Sequence, residues 1–216
     1  MASLSASNQP SILKLAVAAD VLSPQLATLL ALQRAEEPET VIVLQEVASG
    51  DLVYGLEDGR YDIGMMLAAT TTPLALNSQP LWVDELALAI PLRSPLLAHA
   101  EVSLDALLHY PLLRWCLRAC DALSQQVDAL FGSEERSAQE IASFELMVVL
   151  VAAGYGVGIA PRSCVVQARC RGVAMRPLAN GPYLIRTQLL QSSHECAPAV
   201  RRFAERAAKV TATESA

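Results

Sequence analysis

Residues 146–161 read LMVVLVAAGYGVGIAP. Leu146 to Ala153 carries no charge, and Gly154, Gly156 and Gly158 follow it, then a short apolar run ending at Pro161. The pattern predicts a helix stopped at glycine, with the chain turning at once into a buried strand. Glycine tolerates the positive φ of a helix C-cap, which makes it the natural stop. A helix handed so directly to a strand belongs to an α/β domain.

Working outward, Ser143 reads as the cap of this helix, and Gln139–Ser143 as a strand or strand edge before it. Ala119–Phe131 is an amphipathic helix with Leu123, Val127, Leu130 and Phe131 on one side, and YPLLRWC at 110–116 is a strand. A short helix begins at Ser103-Leu104-Asp105, and Ser94-Pro95 makes a turn. Nearer the N-terminus, KLAVAA at 14–19 lies in an apolar run that suits a buried parallel strand. Ser23-Pro24 starts a helix to about Arg34, TVIVLQEV at 40–47 is β-branched, Gly50–Glu57 is a short helix, and Tyr61–Leu67 is a third strand. This β-α-β-α-β order predicts a parallel sheet with right-handed crossovers. Beyond Pro161 the pattern weakens. Val173–Pro177 and Pro182–Gln191 read as strands and Pro198–Lys209 as a closing helix. Two α/β units joined by extended segments at 81–91 and 182–191 predict a hinge and a cleft, the place where such folds bind ligands.

With 216 residues, 53% hydrophobic and 18% charged, the chain is long and apolar enough for a sizeable core. The net charge of -6 argues against nucleic acid or an anionic membrane as a direct partner. No apolar run approaches the roughly 18 residues of a membrane span, and MASLSASNQP lacks the basic and apolar regions of a secretory signal, so a cytoplasmic protein is expected. Five cysteines without a CxxC pair and three scattered histidines predict neither a disulfide framework nor a metal site. Gly154–Gly158 has GxGxG spacing and a helix before it, which is the wrong geometry for dinucleotide binding. GxSxG, a Walker loop and HExxH are absent. No cofactor and no catalysis are expected.

Several motifs, in order, resemble the effector-binding (regulatory) domain of LysR-type transcriptional regulators, over about residues 12–208. They are Gly59-Arg60-Tyr61-Asp62-Ile63-Gly64, Trp82–Pro91 with Ser94-Pro95-Leu96, Ser103-Leu104 with Leu107, Leu150–Gly154 with Gly156, Gly158 and Pro161, and Ala199–Phe203. The resemblance implies a two-lobed α/β fold of the type 2 periplasmic-binding-protein kind. Its Rossmann-like lobes would be joined by two crossover strands with an interlobe cleft. It divides the chain into a flexible N-terminal segment (1–11), a first lobe (12–86 and 187–210), a second lobe (87–186) and a C-terminal tail (211–216). It implies a homodimer or tetramer, with the first helix and the 119–131 helix as candidate faces. Such regulators carry a winged helix-turn-helix, which the residues before Ile12 are too few to hold, so DNA would be met only through a domain outside this chain.

The same resemblance nominates the ligand-binding residues. Asp20 follows the first strand and would line the cleft, where a carboxylate suits a donor or cationic group; its plainer reading is a solvated loop. Thr70 and Thr71, within Thr70–Thr72, would face the cleft from the first lobe. Arg114 is costly in an apolar strand unless paired, and could hold a carboxylate; its plainer readings are an outward arginine or one paired to Asp20 across a closed, empty cleft. Trp115 could stack on a ring or fill the core. Ser143 and Phe144 begin the signature helix, whose amides could bind an anion. Pro161 would shape the wall. Cys116 and Cys120 at helical spacing read as buried and inert rather than as a redox pair. The expected function is sensing a small metabolite, an organic acid or an amino-acid-like compound, to control transcription. The rivals are a transporter's solute-binding protein and an enzyme on the same fold.

Overall fold

The computed structural model describes residues 11–21, 23–68, 76–116, 122–131, 138–192 and 197–214. The first half alternates as the sequence predicts: β1 (Ile12–Ala18), α1 (Pro24–Glu36), β2 (Val41–Val47), α2 (Ser49–Glu57) and β3 (Ile63–Leu67). Ser23 caps α1, its hydroxyl oxygen accepting from the Leu26 amide at 3.4 Å, and Pro24 takes the first helical position, where no amide is needed. β2 and β3 flank β1, both parallel to it. β3, and β1 from Leu15 onward, carry apolar side chains on both faces and are buried, as a strand covered by helices on each side must be.

The long strand β4 (Leu76–Pro91) then leaves this unit. Its first part pairs antiparallel with β9 (Leu184–Ser192), and its last part pairs with β7 (Val157–Pro161) and β8 (Val173–Pro177). Register shifts between Pro80 and Val83 within the β4–β9 pairing, which continues to Glu85; from Leu86 onward β4 pairs with β7 and β8. Between the crossings lie α3 (Leu104–Leu107), β5 (Leu112–Trp115), α4 (Ala122–Phe131), β6 (Ala138–Ile141), α5 (Phe144–Ala152) and α6 (Arg162–Gln167). Here too the central strand β5 is flanked by two parallel neighbours, β6 and β7. β9 returns along β3, and α7 (Pro198–Glu214) closes the chain on α1. The strand order is β2-β1-β3-β9-β4-β7-β5-β6, with β8 on β4. The architecture is the two-lobed α/β fold with two crossing strands.

Residues 146–161 fold as their sequence dictates. Ser143 caps α5 through the Leu146 amide at 3.3 Å. Gly154 takes φ +86°, the left-handed conformation that ends the helix. Gly156 is required by space instead, because a Cβ there would stand 2.4 Å from the Pro111 carbonyl oxygen. That closeness lets the Val157 amide donate to Pro111 at 2.9 Å and start the β5–β7 ladder.

Two expectations differ from the structure. α6 and the single 3-10 turn after it, Ala168–Arg171, occupy a stretch whose sequence pattern is weak. Pro161 supplies no capping side chain, and Val165-Val166 are poor helix formers, so neither local signal announces a helix. The closing helix runs to Glu214 rather than Lys209, into the stretch expected to be a tail.

Candidate functional site

Every parallel strand of the fold ends toward one region. The carboxyl ends of β1 (Ala19, Asp20), β2 (Glu46), β5 (Trp115), β6 (Ala142, Ser143) and β7 (Pro161, then Ser163 and Cys164) all line it. So do the starts of α1, α5 and α6. Strand ends and helix starts meet there because each βα turn brings both to the same side of its sheet. The main cavity, about 510 Å³, is walled by Ala19 and Glu46 from the first lobe, and by Trp115, Ser143, Phe144 and Cys164 among others from the second. A smaller one of about 80 Å³ is walled by Asp20, Ser23, Leu67, Trp82, Asp84, Pro161 and Ser163 among others. Ala19 and Asp20 are consecutive, as are Ser163 and Cys164, so the two cavities are parts of one interlobe cleft.

The sequence-predicted residues divide among three places. Trp115, Ser143 and Phe144 come together in the main cavity. The Trp115 and Phe144 rings are 5.1 Å apart and tilted by 50°, a favourable aromatic arrangement. Asp20, which is buried, and Pro161 meet in the smaller cavity. Thr70 and Thr71 lie outside the described residues, as does Cys120. Arg114 is not brought to the cleft. Side chains alternate across a strand, so Trp115 on the cleft side turns Arg114 toward α4. There its guanidinium donates to Ser124 at 2.8 Å and to Asp128 at 2.7 Å. Its partners are Ser124 and Asp128 rather than Asp20, while its buried Nε has no hydrogen-bond partner among the described residues.

Polar chemistry at the cleft is dominated by carboxylates. The Ser143 hydroxyl accepts from the Leu146 amide and donates to Glu145 Oε2 at 3.2 Å. Asp84 Oδ2 accepts from the Ser163 amide at 3.2 Å and so ties the crossing strand to the start of α6. An ion pair between Arg162 and Glu85 makes a second tie. Burial pushes the Cys164 thiol up to about 11; a hydrogen bond with the Ser163 side chain opposes this, while the charges of Asp84, Asp20 and Glu145 add to it. Such a thiol stays protonated and is a poor nucleophile. Among the described residues no group of three or more His, Cys, Asp and Glu could hold a metal. No described helix is long and apolar enough to cross a membrane.

Glu46, Glu145, Cys164, Gln167 and Arg171 in the main cavity escape the sequence reading. Glu46 had a usable signal, since it stands at the carboxyl end of a predicted parallel strand, where ligands bind. Glu145 had one as well, two residues past a predicted cap. Cys164, Gln167 and Arg171 had none, because the helix and turn that present them are themselves weakly encoded.

Residues 8–212 match the family described as the LysR substrate binding domain. The effector binding domain of a BenM variant superimposes with a TM-score of 0.85 at 20% identity, covering 95% of this chain and 96% of that one. The BenM effector binding domain with its effector benzoate gives a TM-score of 0.83 at 21% identity, covering 95% and 94%. CbnR, a LysR family transcriptional regulator, gives 0.80 at 18%, covering 94% of this chain and 71% of that one. No sequence among the curated proteins matches the chain.

Proposed function

Since the chain belongs to the LysR substrate binding domain family, we propose that it is a sensor whose interlobe cleft binds a small metabolite and thereby controls transcription. The observation that carries this reading is the cavity of about 510 Å³ walled by residues of both lobes. It is large enough for a single-ring metabolite and is lined, as ligand sites are, by an aromatic pair with a few polar groups. The lobe limits are those of the sequence reading, 12–86 with 187–210 and 87–186. A ligand touching Ala19 and Glu46 on one side and Trp115, Ser143 and Phe144 on the other favours the arrangement that brings both walls within reach. Asp20 and Pro161 line the smaller cavity of the same cleft.

The ligand shifts the lobe equilibrium only by its difference in affinity for the two arrangements; a tenfold preference supplies about 1.4 kcal/mol. DNA would be contacted by a separate domain, with which the acidic balance of this one agrees, and the setting would be cytoplasmic. The protein acts as a ligand-responsive switch without turnover.

The switch acts between copies of the chain. β2 is an edge strand whose Val41, Val43 and Leu44 are exposed, and α5 exposes Leu146 and Val149. Apolar surface gathered on an edge strand and a helix is what a homodimer covers. α4, a candidate face in the sequence reading, turns Leu123 and Val127 inward and offers little. α5 takes its place in this proposal.

Thermal unfolding against a panel of small acids, amines and amino acids tests the reading. A ligand bound only to the folded state raises the midpoint with concentration, and Trp115→Leu and Phe144→Ala reduce the rise. A rise that neither substitution reduces places the ligand elsewhere and removes the cleft from the proposal.

A further inference from the structure

At the start of α5 the chain places a carboxylate of its own beside the helix cap. The start of α5 carries a partial positive charge and free amides, which attract carboxylates. Glu145 lies in that first turn, and the Ser143 hydroxyl, which caps the helix, donates to its Oε2. An effector carboxylate arriving there would displace or confront Glu145. Across the cavity stands Glu46, whose side chain makes no hydrogen bond or ion pair with any described residue. The smaller cavity adds Asp20 and Asp84. Against these four carboxylates, the described lining residues of the two cavities hold one cationic side chain, Arg171, which is exposed. Cys164 in the main cavity owes its raised pKa first to burial, and the charges of Asp84, Asp20 and Glu145 add to it.

We propose that the effector of this cleft is a ring-bearing amine, its flat part against Trp115 and Phe144 and its ammonium facing Glu46 and Glu145. The inference rests on the cleft reading of the preceding subsection and adds the charge of the ligand to it. The ring pair supplies apolar area and a favourable face for a nearby cation. The carboxylates supply charge-assisted hydrogen bonds, and a benzoate-like anion meets like charge instead. The class is therefore the opposite in charge to the benzoate held by the BenM domain of the same fold.

Isothermal titration calorimetry with 2-phenylethylamine and with benzoate tests this, on the wild-type chain, on Glu46→Gln and on Trp115→Leu. Glu46 is exposed at a strand end, so its substitution leaves the fold intact even if Trp115→Leu does not. The expected result is binding of the amine, weakened about tenfold by Glu46→Gln, with benzoate bound more weakly than the amine by wild type. Tighter binding of benzoate, weakened by Trp115→Leu, overturns the charge assignment and leaves the cleft as the site. Amine binding that neither substitution weakens overturns the site together with the charge. Absence of heat with either compound overturns the ring-bearing amine as the ligand class.

Discussion

Gly154 and Gly156, just past the end of α5, are needed for different reasons, and substitution separates them. Gly154 holds φ +86° in open space, so Gly154→Ala meets only the left-handed backbone cost, about 1 kcal/mol. Gly156→Ala drives a Cβ into the backbone oxygen of Pro111, which no side-chain rotation relieves, and should cost at least about 2 kcal/mol. Urea unfolding of both variants checks the order, and equal costs would contradict the steric account. The cysteines differ in a similarly local way. Cys164 is buried with a thiol pushed up to about 11, whereas Cys170 is exposed. Peptide mapping after brief iodoacetamide treatment near neutral pH should find Cys170 alkylated and Cys164 intact. At this scale the site was legible where a residue sat at a recognisable strand end or helix cap, as Asp20, Trp115, Ser143 and Phe144 did. Arg114 was misplaced because composition says that a strand arginine needs a partner, but only side-chain alternation and α4 decide which one.

Elements with periodic apolar patterns and clear caps could be read from the chain alone: β1, α1 with Ser23-Pro24, α5 with Ser143 and Gly154. α6 could not, because tertiary packing rather than propensity holds it, with Cys164 and Val165 facing the core. The closing helix was assigned to the first lobe from the sequence, but the ion pairs that fasten α7 to α1 were not legible, since they join residues far apart in sequence. Buried Arg206 donates to Glu37 at 2.7 Å, to Gln33 at 2.7 Å and to Glu36 at 2.6 Å, and Arg202 pairs with Glu37 as well. Removing one partner strands a buried charge, so Arg206→Met should destabilise by about 3 kcal/mol in urea unfolding. The Arg202 hydrogen bond first, then those of Arg206 and Gln33, hold the Glu37 carboxyl down to about 2 against its usual 4.5. A lowered folded-state pKa contributes stability that is complete above 4.5 and fades as pH falls toward 2. Thermal unfolding midpoints should therefore decline across that window, and Arg202→Met should flatten the decline; an unchanged slope would mean that Glu37 does not govern it.

At the scale of the whole molecule, the cleft and the exposed apolar surface belong to the same two lobes, which is how a ligand can alter assembly. β2 offers its edge to solvent with Val43 half exposed, while Glu46, three residues on, reaches the cleft. α5 does the same: Val149 is 58% exposed, yet Ser143 and Phe144 at its start line the cavity. Each element thus has one end at the cleft and an outer apolar flank open to solvent. In the proposed switch, closing the lobes on a ligand would move both flanks relative to one another and change how well they fit a partner. An unpaired edge and an apolar helix face are exposed only at a cost in solubility unless a partner covers them. A charge placed on either flank should break the association without disturbing the core, because both side chains point outward. Sedimentation velocity should accordingly show a dimer for the wild-type chain and a monomer for Val43→Asp and for Val149→Asp, with unfolding midpoints close to wild type in dilute solution. If both variants sediment as the wild type does, these flanks are not the interface. If the variants are monomeric and still bind the cleft ligand with unchanged affinity, sensing and assembly are uncoupled, and the lobes close without informing the partner.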